Sequence, residues 1–281
     1  MAQATVDAGV EVDPTLLYWL FRLSGQSRKL RAGSYELAQG QTALDLLNKL
    51  SRGEENLRAV SLIDGWTFAQ FRQALNKTEG LKHDSRDLSD ADIMARLGRP
   101  DVAPEGRFFP DTYTFGKGTS DLRVLERAAK AMQQQLDKAW AKRSAESVLR
   151  SPDEALVLAS IVEKETGAER DRAMIASVFH NRLRMGMPLQ TDPTVIYGIG
   201  PSFDGNLHRE DLRRDHPWNT YTRKGLPPTP IAMPGRNALL AAVQPAQSQA
   251  LYFVARGDGS SEFSNTLEAH NAAVNRYQRA K

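Results

Sequence analysis

The chain has 281 residues, 41% hydrophobic and 25% charged, which is the profile of a soluble globular protein with room for one large domain or two small ones. A net charge of +3 and a pI near 9.1 hint mildly at an anionic partner. There is no block of like charges and no basic-aromatic motif, so nucleic-acid binding has no support. The lack of cysteine removes disulfides, thiolate metal sites and cysteine nucleophiles.

The opening MAQATVDAGVEVDP has neither the basic start nor the apolar run of a signal peptide. Leu16 to Phe21 is too short an apolar cluster to cross a bilayer, so no anchor is expected within these residues. Pro14 to Leu23 reads as a helix. A repeat follows: Tyr35 to Thr42 leads into Leu46, Leu47 and Leu50, and Val60 to Thr67 leads into Phe71 and Leu75. Both copies read as a short strand, a glycine turn (Gly40, Gly65), a threonine N-cap (Thr42, Thr67) and an amphipathic helix. The pattern resembles LysM-type glycan-binding modules, and it also fits a generic strand-turn-helix unit. Ser89 to Leu97 reads as a further helix, capped by Ser89 and ended by Gly98.

The Pro/Gly-rich stretch Pro100 to Gly106 marks a boundary. The expected division is a partial N-terminal module over 1–57, a LysM-like module over 58–104 and a catalytic domain over 105–281. In Glu105-Gly-Arg-Phe-Phe-Pro-Asp-Thr-Tyr113 the aromatics suit either a core or a sugar site. Leu122 to Lys142 is an amphipathic scaffold helix.

Pro152 and Asp153 begin the next helix. At about 100° per residue, Leu158, Ile161, Val162 and Glu165 share one face, and Glu163 falls well away from it. Residues two apart do not face one cleft, so the two glutamates should have different jobs. Glu165 stands where the stripe predicts leucine. Apolar neighbours there would hold its carboxyl protonated near neutral pH, as a general acid requires. A structural glutamate paired with Arg170 or Arg182 is the competing reading. A second helix, Glu169 to Met185, carries Asn181, Arg182 and Arg184 and ends at Gly186. Asp192 before Pro193 reads as the N-cap of a short helix, Thr194 to Tyr197, with a second catalytic carboxylate as its other reading.

His180, His208, His216 and His270 lack metal-ligand spacing, and there is no glycine-rich phosphate loop or Gly-x-Ser-x-Gly elbow. No metal or cofactor is expected. In the last third, Asn219 and Tyr221 would point to one side of an extended segment, an amide and an aromatic suited to a sugar or to loop packing. Gly225 to Gly235, rich in proline, reads as an extended surface segment. Asn237 to Val243 reads as a short helix, Leu251–Ala255 and Ser261–Ser264 as a hairpin about Gly257 to Gly259, and Leu267 to Arg279 as a final helix. Helices and short strands without regular alternation predict an α+β fold: LysM-like strand-turn-helix modules, then a larger mixed α+β domain.

Several of these stretches together resemble the endolytic murein transglycosylase family, also called MltG or YceG-like. They are AGSYELAQGQT (from Ala32), EGRFFPDTYTF (from Glu105), ASIVEKET (from Ala159), VFHNRLRMGMPLQTDPTVIYGIG (from Val178), NTYTRKGLPP (from Asn219), PIAMPG (from Pro230) and LYFVARGDGSSEFSNT (from Leu251). The resemblance covers nearly the whole chain. It implies cleavage inside newly made peptidoglycan strands, at the β-1,4 bond between N-acetylmuramic acid and N-acetylglucosamine, with 1,6-anhydro ends as product. The catalytic residue it implies is the second glutamate of Glu-Lys-Glu-Thr, Glu165, in agreement with the helical wheel. Gln190, Asn181, Asn219 and Tyr221 are the candidates for hydrogen bonds to the sugar, Asp192 for a second carboxylate, and Arg182 and Arg184 for the carboxylates of the peptide stems. The implied partners are glycan strands and cell-wall synthesis enzymes, and the implied location is the bacterial cell envelope at the periplasmic face of the inner membrane. Family members typically begin with an anchoring helix and a longer N-terminal module than this sequence holds. Two alternatives stand beside this: a hydrolytic muramidase in which Asp192 activates water, and a non-catalytic peptidoglycan-binding protein.

Overall fold

The computed structural model describes residues 2–7, 10, 12–31, 33, 35, 41–53, 56–165 and 168–279. Helix α1 (Ala2–Asp7) is followed by α2 (Pro14–Leu23). Asp13 starts α2 by accepting the Thr15 and Leu16 N–H groups at 2.7 and 3.0 Å, with Pro14 in the first turn. Helix α3 (Ala43–Arg52) opens on a capping box between Thr42 and Asp45 and stops at Gly53, whose φ of 67° suits glycine. Leu17 and Phe21 of α2 pack on Leu46, Leu47 and Leu50 of α3 as a small separate core. The strand and glycine turn expected before α3, Gly40 included, lie outside the described residues.

The second unit shows strand, turn and helix in order. Strand β1 (Leu57–Ser61) turns at Gly65 (φ 75°) into α4 (Phe68–Lys77), which Thr67 and Gln70 cap reciprocally. Ser89 caps α5 (Asp90–Arg96). Strand β2 (Thr112–Gly116) then pairs antiparallel with β1, Val60 opposite Tyr113. The apolar faces of β1, α4, α5, β2 and α6 (Asp121–Trp140) meet in one core, where Phe68 stacks on Phe108 with centroids 5.0 Å apart. That core runs straight across residues 100–106, so the Pro/Gly stretch is a turn inside it. Phe108 and Tyr113 are buried there and Phe109 in the neighbouring core around residues 155–162, which takes the aromatics of this motif out of any sugar site.

Helix α7 (Pro152–Glu165) is packed by α8 (Glu169–Arg184), α9 (Asp192–Ile199) and α11 (Arg236–Val243); outside these, α10 (Arg209–Arg213) lies on α9, the hairpin of β3 (Tyr252–Ala255) and β4 (Ser261–Ser264) on α8, and α12 (Leu267–Val274) on the hairpin. Leu156, Leu158, Ile161 and Val162 of α7 are completely buried among Ile175 and Phe179 of α8 and Leu239 and Val243 of α11. The fold is mixed α+β: helices with, among the described residues, two small two-stranded sheets.

The proline-rich segment departs from its expected surface position. Ile231, Ala232 and Met233 are buried, Ile231 in the core around α7 and Met233 in the core around β1. Met233 exchanges backbone hydrogen bonds with the 65–66 turn, its N–H donating to Trp66 O and its carbonyl accepting Gly65 N–H, both at 2.8 Å. Prolines bring no N–H to satisfy, so such a segment can be buried with few partners. Gly106 (φ 78°) packs against it; a Cβ there would lie 2.5 Å from Pro230.

Candidate active site

Three elements converge on the end of α7: the helix, the 188–192 turn, and the 216–222 turn. The apolar stripe of α7 delivers Glu165 into contact with Thr191, whose hydroxyl donates a short hydrogen bond to Glu165 Oε1. Thr191 is itself buried and fixed at every polar atom. Its N–H donates to Thr220 Oγ1 at 3.1 Å, and its carbonyl accepts from Thr194 Oγ1 at 2.7 Å. The hydroxyls of Thr194 and Thr220 meet at 2.9 Å, and the Gln190 N–H donates to Thr220 O at 3.1 Å. The partner of the carboxyl is therefore held by a closed network rather than by one rotamer.

Burial is the largest influence on Glu165 and raises its pKa to about 7. The Thr191 hydroxyl opposes this, the nearby Asp192 charge adds to it, and Arg182 opposes it at longer range. A carboxyl so placed is about half protonated at neutral pH and can both give and take a proton. No ion pair joins Glu165 to Arg170 or Arg182 among the described residues; Arg170 lies 3.9 Å from Asp171.

Asp192 is not the N-cap that its place before Pro193 suggests. Thr191 occupies the cap position and Asp192 is the first helical residue, so its carboxylate turns outward. It accepts the Tyr221 hydroxyl at 2.5 Å. Burial and this carboxylate together push the Tyr221 phenol above its ordinary value. Gln190 is exposed with φ 51°, left-handed for a non-glycine residue, and its Oε1 accepts from Arg182 at 3.3 Å.

The other candidates are scaffold by position. Arg182 is buried: Nε donates to Leu251 O at 2.7 Å, Nη1 donates to Leu189 O at 2.8 Å, and the guanidinium lies 5.1 Å over the Tyr252 ring. It ties the 188–190 turn to the β3–β4 hairpin. Asn181 donates to the carbonyls of Ser248 and Ala250, and Arg184 to Asn181 Oδ1 and Glu146 O. The segment around Asn219 is a chain of turns rather than a strand, so Asn219 and Tyr221 do not share a face. Asn219 is 1% exposed, and its amide donates to the carbonyls of Asp211, Leu212 and Arg214, which leaves it no surface for a ligand.

Two groups were missed from the sequence. The threonines at 191, 194 and 220 are small polar residues in turns, a common and uninformative pattern; only the i, i+3 spacing of Thr191 and Thr194 at a helix start hinted at them. Glu105 is buried with its carboxyl against the Phe68 N–H (3.1 Å) and the Tyr197 hydroxyl (3.2 Å), and burial raises its pKa to about 7. It joins the start of α4 to α9. Glu163 has the separate role its helical angle implies: Oε2 accepts the Gly235 N–H at 2.8 Å. Among the described residues no group of three or more His, Cys, Asp or Glu side chains could hold a metal ion.

A sequence model of the YceG-like family matches residues 1–276. The chain is 33% identical over 276 residues to the endolytic murein transglycosylase of Bacillus subtilis strain 168, covering 89% of this chain and 74% of that protein. It is 28% identical over 285 residues to the endolytic murein transglycosylase of Streptococcus pneumoniae D39, covering 90% of this chain and 51% of that protein. The crystal structure of the yceG-like protein lmo1499 from Listeria monocytogenes superposes with a TM-score of 0.63 at 31% identity, over 92% of this chain and 90% of that one.

Proposed function

The chain belongs to the YceG-like family, and from that premise we propose that it is an endolytic peptidoglycan lytic transglycosylase. It cuts the β-1,4 bond between N-acetylmuramic acid and N-acetylglucosamine within nascent strands and leaves 1,6-anhydro ends. The observation that carries the mechanism is the Glu165 carboxyl, set on apolar helix α7, met by the Thr191 hydroxyl and raised by burial to about 7.

In the proposed reaction Glu165 gives its proton to the glycosidic oxygen as the C1–O bond breaks. The resulting carboxylate takes the proton of the muramyl C6 hydroxyl, whose oxygen bonds to C1, so the enzyme ends in its starting form. The nucleophile belongs to the substrate, so proximity supplies much of the rate and one acid/base residue suffices. The Asp192 carboxyl, exposed beside Glu165, is placed to favour the positive charge developing at C1. Gln190 and Tyr221 are the proposed sugar contacts. Asn181, Arg182 and Asn219 hold the turns that present them.

Residues 58–104, with β2 and α6 completing their core, are proposed as a LysM-like module that steadies the strand while the elements around α7 cleave it. The periplasmic face of the inner membrane is the proposed site of action; no described helix is long and apolar enough to cross a membrane. A hydrolytic muramidase is the second reading, favoured by one observation: the Tyr221-held carboxylate of Asp192 lies close enough to act on Glu165. Mass spectrometry of digested strands separates the two. Anhydro ends, lost in Glu165→Gln and kept in Asp192→Asn, are expected. Reducing ends that vanish with Asp192→Asn would establish hydrolysis, and binding without cleavage by the unaltered chain would leave only a glycan-binding protein.

A further inference from the structure

On the far side of α7, Arg172 from α8 lies against Glu163, with Nη2 3.5 Å from Oε1 and side chains only 15% and 7% exposed. Its Nε is buried without a hydrogen-bond partner among the described residues. Around this pair opens a cavity of about 360 Å³, bordered also by Asp64, Asp111 and Arg236. Asp64 and Arg236 are exposed, and neither has a hydrogen-bond or ion-pair partner among the described residues. Gly235 lets the Asp64 carboxyl lie against the backbone, since a Cβ there would come within 2.8 Å of it. The cavity thus has an ion pair at its floor and, at its rim, two carboxylates, one of which (Asp64) also feels the Arg172 charge, and the Arg236 cation.

That pattern is wrong for a bare glycan, which has no charges for it, and for a simple anion or cation, which the site's charges of like sign would repel. It suits a short peptide carrying both a carboxylate and an ammonium. Arg182 and Arg184, the sequence candidates for stem carboxylates, are occupied by backbone carbonyls and by Asn181. Glu163 and Glu165 share the last turn of α7 and face apart, so the cavity lies roughly one helix width, about 10–12 Å, from the reacting carboxyl. A stem of four residues spans at most about 13–14 Å when extended, enough to cover that distance. We propose that this cavity between α7, α8 and the 233–237 turn is the subsite for the peptide stem of the strand, with Arg172 and Arg236 taking its carboxylate and Asp64 its ammonium. The proposal rests on the glycan-cleavage reading for its choice of peptide.

Two measurements test it. The first titrates the free tetrapeptide L-Ala-γ-D-Glu-L-Lys-D-Ala into the full chain by calorimetry. Saturable binding is expected, weakened about tenfold by Asp64→Asn and by Arg236→Gln, the low end for a charge-assisted hydrogen bond at an exposed rim. No binding, or equal binding by the variants, overturns the proposal. The second compares cleavage of stem-bearing strands with the same strands stripped by an amidase. Both variants should raise KM about tenfold on the first substrate and leave kcat/KM on the second unchanged. Equal losses on both substrates, or none on the first, overturn the proposal. Failure of the unaltered chain to cleave either substrate would instead refute the transglycosylase reading, and the titration would still decide the subsite.

Discussion

Replacing Glu165 by Gln keeps the shape of the side chain and an oxygen for Thr191, and it removes the charge. The unaltered carboxyl has an ordinary value of 4.5 and stands at about 7 in the fold. The sign follows from linkage: below about 4.5 both folded and unfolded chains hold the proton and the charge has no effect. As pH rises from 4.5 to 7 the unfolded chain releases its proton first, so the folded state loses stability, and above 7 the loss is complete. The gap, at about 1.36 kcal/mol per pH unit, gives roughly 3 kcal/mol, and partial exposure of Glu165 to screening solvent reduces this to about 2 kcal/mol. The variant should therefore unfold like the parent at pH 4 and be about 2 kcal/mol more stable at pH 8. Urea melts of both proteins across that range measure the difference, in which the contribution of Glu105 cancels. A variant equal to or weaker than the parent at pH 8 would refute the claim that this carboxyl keeps its proton.

Thr191→Val removes the donor that favours the ionised form of Glu165. A lost hydrogen bond to a charged group, at about 1.5 kcal/mol, should move the alkaline limb of the pH–rate profile up by about one pH unit; an unmoved limb would deny the contact any role in tuning. Asn219→Ala frees three carbonyls of the 211–214 stretch and should cost about 2 kcal/mol in urea unfolding, with KM rising as Tyr221 loses its support; a loss under about 0.5 kcal/mol would show the amide to be dispensable. Gly106→Ala places a methyl within 2.5 Å of Pro230 at φ 78° and should destabilise by about 2 kcal/mol or more, read as a lower melting temperature; an unchanged melt would mean that the 226–235 segment gives way.

What the sequence made legible follows a physical line. Helix starts were readable because capping is local: Thr42, Thr67, Ser89 and Pro152 each stand where the structure begins a helix. Glu165 was readable because one polar residue broke an apolar stripe. Long-range matters were not. Whether Asn219 meets sugar or backbone depends on carbonyls five to eight residues before it in a fold of turns. Whether Pro230 to Gly235 is surface depends on two separate cores that it happens to pass between. Asp192 looked like a cap because its neighbour is proline, yet the helix begins one residue earlier.

The pairing of β1 with β2 bears on how this chain can be divided. A fragment starting at residue 105 would keep β2 but discard the strand beside it and the aromatic rings that cover Phe108, presenting a raw edge and greasy surface to any neighbouring copy. A fragment starting just before Leu57 keeps both strands and leaves behind the small bundle of α1, α2 and α3, which has its own interior. A cut there leaves no strand without its neighbour.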